Sequence, residues 1–266
     1  MKFNLKAIAL AASLVASGAA NAGNVTIWGE SPFGVSLSSM NSFYDNLAGH
    51  SSSIATGTLD TVDLSSTDLL WAVQPADAYT AAELSAMSSF LANGGRIAFM
   101  GEHGSIAPSQ NNRINTALSF LGADIVINNV VLDGGFRSAS VGDGQILAHD
   151  LTAGVNTYEY AAFAPLTISG TAEALMLGEE SFNGSASIMM AYQNIGPGSV
   201  FLITDQNVWD NAPTWGAFDN EVMFENLLSA STGAPPVDND VPEPASIALL
   251  GLGLAGLARL RRKAAN

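Results

Sequence analysis

The chain has 266 residues, 48% of them apolar, no cysteine and a formal charge of −15 at pH 7. That length accommodates one sizeable domain, and that apolar content excludes a disordered chain. Without cysteine the chain has no disulfide, no thiolate metal site and no cysteine nucleophile.

The charge is unevenly placed. Residues 23–240 hold three basic residues, Arg96, Arg113 and Arg137, against 23 of the 24 acids, a formal charge of −20. Such a surface repels nucleic acid and anionic lipid, so no nucleic-acid partner is expected. It suits a domain kept soluble outside the cytoplasm.

Residues 1–22 read as a secretory signal peptide. Lys2 and Lys6 supply the positive start, Ala7 to Val15 the apolar run, and Ala20-Asn21-Ala22 the small-x-small pattern that signal peptidase cuts, here before Gly23.

Apolar runs and helical spacings then alternate. Val25 to Trp28 predicts a short buried strand. Leu37, Met40, Phe43, Tyr44 and Leu47 fall at helical spacing, with Gly49 as the stop. Leu69 to Val73 is apolar and strand-length. Thr80-Ala81-Ala82-Glu83 is a capping box that opens a helix, with Leu84, Met87, Phe90 and Leu91 as its buried stripe and Asn93-Gly94-Gly95 as its end. Arg96 to Met100 predicts the next strand, Asn112 to Leu121 a helix stopped by Gly122, and Ile125 to Val131 another strand. This rhythm predicts an α/β fold with a mainly parallel sheet flanked by helices.

The second half changes character. Leu166 to Ser169, Ala174 to Leu177, Ser187 to Gln193 and Val200 to Thr204 predict extra strands with few helices between them, and Gly196-Pro197-Gly198 a turn. Asp219 to Leu228 predicts the last helix. The body is expected to be one domain over residues 23–230.

Four pieces in this order carry a family resemblance. They are Asn93-Gly94-Gly95 running into Arg96 to Glu102, the segment His149-Asp150-Leu151-Thr152-Ala153-Gly154-Val155, the strand Gly198 to Asp205, and Asp219-Asn220 before the last helix. With them the body resembles the class I glutamine amidotransferase-like superfamily, in its non-amidotransferase branches near the trehalose-utilisation type. The resemblance implies a flavodoxin-like architecture. It places the family's cysteine elbow at Met100-Gly101-Glu102-His103-Gly104, where this chain has no cysteine, and so implies loss of the amidotransferase reaction.

The candidate chemistry is sparse. Glu102 and His103 follow a strand, where ligands bind in open α/β sheets, and are candidates for a general base and its partner. Asp205 ends another strand and can share that edge. As a pair, Glu102 and Asp205 require carboxylates within about 10 Å. His149 is a ligand candidate or a loop cap, and His50 a cap at a helix end. Asp133 and Asp143, each before glycine in one polar loop, are candidates for oxygen-rich calcium binding or ordinary turns. Trp209 and Trp215 stack on sugar rings if exposed and act as core lids if buried.

Residues 231–240 are rich in Pro, Gly and Asp and predict an extended linker. Ala245 to Ala258 is a run of 14 uncharged residues, short of the ~17–25 usual for a membrane span. Arg259 and its neighbours can reach back to the interface, so a short C-terminal membrane helix is still expected. Pro242-Glu243-Pro244, the apolar run, and Arg261-Arg262-Lys263 resemble the PEP-CTERM sorting signal. That resemblance implies export across the inner membrane of a Gram-negative bacterium, a transient membrane tether and processing by an exosortase-type enzyme. It also implies delivery to the cell surface or an extracellular polysaccharide matrix. Three readings of the body follow: a non-catalytic binding domain, a carbohydrate-related hydrolase or isomerase using Glu102, His103 and Asp205, or a calcium-dependent adhesion domain.

Overall fold

The computed structural model describes residues 23–29, 35–210 and 217–229. The expected signal peptide, Trp215, the linker and the sorting tail lie outside the described residues.

Strands β1 (Asn24–Gly29), β2 (Ser51–Ala55), β3 (Leu69–Val73), β4 (Arg96–Met100) and β11 (Gly198–Ile203) form the parallel part of one sheet, in the order β2-β1-β3-β4-β11. The sheet continues antiparallel through β10 (Ser185–Ile195), β8 (Leu166–Ile168) and β5 (Ile125–Ile127), with β9 (Glu173–Phe182) also paired to β10. A separate ribbon pairs β6 (Arg137–Ser140) with β7 (Thr157–Tyr160). This is the expected α/β architecture, with parallel strands first and extra antiparallel strands in the second half.

Both faces of β3, β4 and β11 are covered, which is why they read as continuous apolar runs. Residues Leu69, Trp71 and Val73 of β3 join Ala98, Met100, Phe201 and Ile203 on one face. There they meet Met40 and Tyr44 of α1 (Leu37–Asn46), Val208 and Trp209 of the short α4 (Asn207–Asp210), and Met223, Phe224 and Leu227 of α5 (Asn220–Ser229). The alternate residues Leu70, Ala72, Ile97, Phe99, Val200 and Leu202 pack on α2 (Ala81–Ala92) and α3 (Pro108–Leu121). Helix α2 buries the expected stripe of Leu84, Met87, Phe90 and Leu91. Each such side chain contributes roughly 1.5–3 kcal/mol of apolar transfer. The Thr80–Glu83 capping box is formed in both directions.

Some boundaries differ from those the sequence predicts. Helix α3 starts at Pro108 rather than Asn112, because proline at the first helical position needs no apolar spacing. The strand expected over Ile125 to Val131 stops at Ile127. Asn115 of α3 pairs with both the N–H and the C=O of Ile127, at 2.8 and 3.0 Å, and Asn128 turns to the Pro165 carbonyl. Strands β2, β6 and β7 were not expected. Ser51 to Ser53 and Arg137 to Ser140 carry too little apolar alternation to announce themselves.

His50 accepts a hydrogen bond from the Gly23 N–H at 3.0 Å. It thereby fixes the first residue expected after signal-peptide removal. Asp219 accepts from the N–H groups of Asn156 and Thr157, and Asn220 exchanges two hydrogen bonds with the backbone of Glu159. These two residues fasten the start of α5 to the β7 ribbon.

The backbone N–H groups of Asn156 and Thr157 hold the Asp219 carboxyl below its usual value of 3.8. A carboxyl depressed by folding stabilises the native state above its unfolded-state value, and that stabilisation is lost as pH falls through the folded value. Thermal unfolding of Asp219→Asn against the parent is expected to show a lower Tm at pH 6–7, with the gap closing in acid below the usual carboxylate value. A gap that persists unchanged in strong acid counts against the assignment.

Candidate functional site at the carboxyl edge of the sheet

The parallel strands end in register. Gly29 lies opposite Val73, Val73 opposite Met100, and Met100 opposite Ile203. The residues that follow, Gln74, Glu102 and Asp205, therefore collect along one edge.

Glu102 is 1% exposed. One carboxylate oxygen accepts from the His103 N–H at 2.7 Å and the other from the Gln206 N–H at 3.0 Å. Its backbone is gripped by Asn111 of α3, which accepts from the Glu102 N–H and donates to the Glu102 carbonyl. Asp205 is wholly buried and accepts from the N–H groups of Ala161 and Asn207, at 2.7 and 2.8 Å. The two carboxylates thus hold consecutive amides of one turn, those of Gln206 and Asn207. The structure brings the expected pair together and commits each to backbone amides.

His103 lies beside Glu102, with Nε2 3.7 Å from the carboxylate, and its Nδ1 pairs with the Ser105 hydroxyl at 2.9 Å. Burial lowers its pKa from the usual 6.5. The elbow itself is shaped by close backbone approach. A Cβ on Gly104 would stand 2.1 Å from the carbonyl carbon of Asn129. That glycine serves packing between loops.

Two further residues of this region gave no signal in the sequence. Gln74 follows β3 with φ of 32° and is fully buried. Its Nε2 donates to Gln206 at 2.7 Å, while its Oε1 has no hydrogen-bond partner. Tyr158 is buried with its hydroxyl unpartnered, and burial with the Asp205 charge pushes its pKa well up. Polar residues in such surroundings cannot be told from surface residues until the chain is folded.

The remaining candidates are dispersed. Trp209 is 5% exposed, inside an aromatic cluster with Phe43, Trp71 and Phe224. That is the lid of a core, so the sugar-platform alternative for Trp209 is corrected by burial. His149 caps a short turn through the Leu151 N–H at 3.0 Å. Asp133 is buried, accepting from the Tyr160 hydroxyl and the N–H groups of Glu179 and Glu180. Asp143 closes an exposed turn with Ser140. The two aspartates are therefore not joined in a calcium site. Among the described residues no group of three or more His, Asp or Glu is arranged to hold a metal ion. No helix among the described residues is long and apolar enough to cross a membrane.

A cavity of about 450 Å³ opens beside this edge, between the ends of β1, β2 and β3. Trp28, Ile54, Asp77 and Tyr79 are among its lining residues. No local pattern marks it, because Trp28 lies near the end of an apolar strand and Tyr79 precedes a helix cap.

A sequence model of the PEP-CTERM protein-sorting motif matches residues 240–263. The motif marks the chain for exosortase-dependent export and surface sorting through a membrane-anchored intermediate. No curated protein matches the sequence. Among solved structures the chain is similar to the mmIFT52 N-terminal domain, with a TM-score of 0.59 and 16% identity over 76% of this chain and 94% of that one. It is similar also to the cytoplasmic protein STM3548 from Salmonella typhimurium, with a TM-score of 0.53 and 9% identity over 77% of this chain and 96% of that one. Identities this low show the fold alone. Its structural neighbours include a ThuA-like protein from Parabacteroides merdae ATCC 43184, with a TM-score of 0.49 and 10% identity over 69% of this chain and 78% of that one.

Replacing Glu102 by Gln puts an NH2 group against one of two buried amide donors. A loss of about 2–4 kcal/mol in unfolding free energy is expected by denaturant titration, on the scale of breaking a buried charged hydrogen bond. Loss of less than about 0.5 kcal/mol would remove Glu102 from its structural role.

Proposed function

We propose that this protein is an exported, surface-sorted binding domain that serves the extracellular polysaccharide matrix and carries no catalytic centre at its Glu102–Asp205 edge. The sorting motif supports the destination. The observation that carries the binding reading is the commitment of both carboxylates. All four oxygens of Glu102 and Asp205 accept backbone N–H groups. A general base needs a free lone pair within reach of a substrate proton, and a general acid needs to exchange its proton with substrate. Buried at 1% and 0% exposure, with each oxygen already turned to a backbone amide, these carboxylates are held out of reach of a substrate proton. They act as fasteners between strand ends.

In this reading the signal peptide starts export, residues 231–240 space the domain from the inner membrane, and residues 241–266 form the temporary anchor. An exosortase-type enzyme then releases the domain from this anchor to the surface of a Gram-negative cell. The acidic body stays soluble and keeps off anionic lipid.

Fractionation of producing cells with and without the exosortase tests the destination. The protein is expected in surface and matrix fractions when the exosortase is present, and in the inner membrane when it is absent. Co-sedimentation of the full exported chain with the host's insoluble polysaccharide tests the role. Retention is expected to be unchanged by Glu102→Gln at a temperature where that variant is folded. An identical distribution with and without the exosortase overturns the sorting reading. Failure of the parent chain to sediment with polysaccharide overturns the binding reading.

A further inference from the structure

The strand order β2-β1-β3-β4-β11 reverses direction between β1 and β3. In open α/β sheets such a reversal leaves a crevice outside the carboxyl ends of the strands, because the two flanking connections leave on opposite faces. The cavity of about 450 Å³ lies at this point, lined by Gly29 at the end of β1, Ala55 at the end of β2, Val73 at the end of β3 and Pro75 after it. Its size is in the usual range for small-ligand pockets, about 300–1,000 Å³.

The walls are braced. Trp28 donates from its indole N–H to the Gly57 carbonyl at 2.9 Å. Arg113 of α3 donates to the Pro75 and Ala76 carbonyls, at 2.9 and 2.5 Å. Glu83 accepts from the N–H groups of Leu59 and Thr80, which ties two loops of the rim together. A Cβ on Gly29 would stand 2.2 Å from the Val73 carbonyl oxygen, so the floor depends on glycine. Gln74, between two lining residues, holds a positive φ of 32°. Strain of this kind in a non-glycine residue persists only where the surroundings over-determine it, and it concentrates at ligand sites.

The lining chemistry narrows the ligand. Trp28 and Tyr79 are half-buried, with ring centroids 5.8 Å apart and planes 31° apart. Thr56, Thr58 and Asp77 supply hydroxyls and a carboxylate. Among the described lining residues there is no Lys, Arg or His. The N-terminus of α2 points no free charge at an anion, because the Glu83 carboxylate already occupies its capping box. Phosphates, nucleotides and uronates therefore meet uncompensated negative charge here. A neutral, hydroxyl-rich ring meets apolar faces for its C–H groups and acceptors for its hydroxyls.

We infer that the crevice between the ends of β1, β2 and β3 is a binding subsite for a neutral sugar residue, with Trp28 and Tyr79 as its apolar wall and Asp77 as a hydroxyl acceptor. This inference rests on the polysaccharide-binding reading above and gives it a location.

Calorimetry on the full exported chain in detergent, with neutral malto-, cello- and galacto-oligosaccharides as probes, tests it. Galacturonate oligomers and inorganic phosphate serve as anionic controls. Binding of at least one neutral series is expected, with no binding of either anion. Trp28→Ala is expected to weaken it by at least about tenfold. Because Trp28→Ala also removes the Gly57 brace, the exposed Asp77→Ala is the second variant. It is expected to weaken binding severalfold with an unchanged Tm. Neutral-sugar binding that survives both variants overturns this location and leaves the polysaccharide reading standing. Anion binding equal to neutral-sugar binding overturns the ligand class. Absence of binding to every probe, with retention on host polysaccharide intact, overturns the subsite alone. Absence of both overturns the subsite and the reading it rests on.

Discussion

Glu102 is a carboxylate placed where water does not reach. An unpaired charge there costs several kcal/mol, so the surrounding chain must supply donors. It does so from His103 and Gln206, which lie on the turns after two neighbouring parallel strands. Asn111 completes the arrangement by clasping the Glu102 backbone from α3. The ends of β4 and β11 and a helix on one face are thereby locked together around one charge. Asp205 repeats the device next door and extends it to Ala161, beyond β7. Along this edge the two buried carboxylates fasten the ends of neighbouring strands.

The same sheet has a second opening. Where β1 turns one way to β2 and β3 continues on the other side, the strand ends leave a gap. Aromatic and threonine side chains line it, while hydrogen bonds donated by Trp28 and Arg113 and accepted by Glu83 hold its walls from behind. One edge of one sheet thus divides into a closed part, rich in charge and buried, and an open part, half-apolar and accessible. The difference follows from topology, since the crevice forms where successive connections part.

The four segments behind the family resemblance have a common structural logic. Two of them are β4 and β11, adjacent and parallel. The other two meet at α5, where Asn226 donates to the carbonyls of Leu151 and Ala153. Asp219 and Asn220 fasten that helix to residues 156–159. His149, read as a ligand candidate, caps the turn that receives these contacts. The resemblance therefore lies in residues that hold the sheet and last helix together.

Much of the fold was legible because burial on two faces leaves an unbroken apolar run. Leu69 to Val73 and Arg96 to Met100 were read at their full extent, and Thr80 to Glu83 announced a helix start through local hydrogen bonding alone. Edge and ribbon strands such as Ser51 to Ala55 were illegible, because exposed pairing asks little of the side chain. The sequence by itself determined the sorting motif at residues 240–263, which is read as a linear string whose residues act in order along the chain. It also determined the α/β class, through period and capping. Only the tertiary structure decided what the polar residues do. Whether Glu102, Asp133 or Asp205 is a reactant or a fastener depends on which amides come within about 3 Å of its oxygens. Whether Trp209 or Trp28 can meet a ligand depends on which helix covers it. Both are set by contacts between residues far apart in the chain, so neither is written in any local pattern.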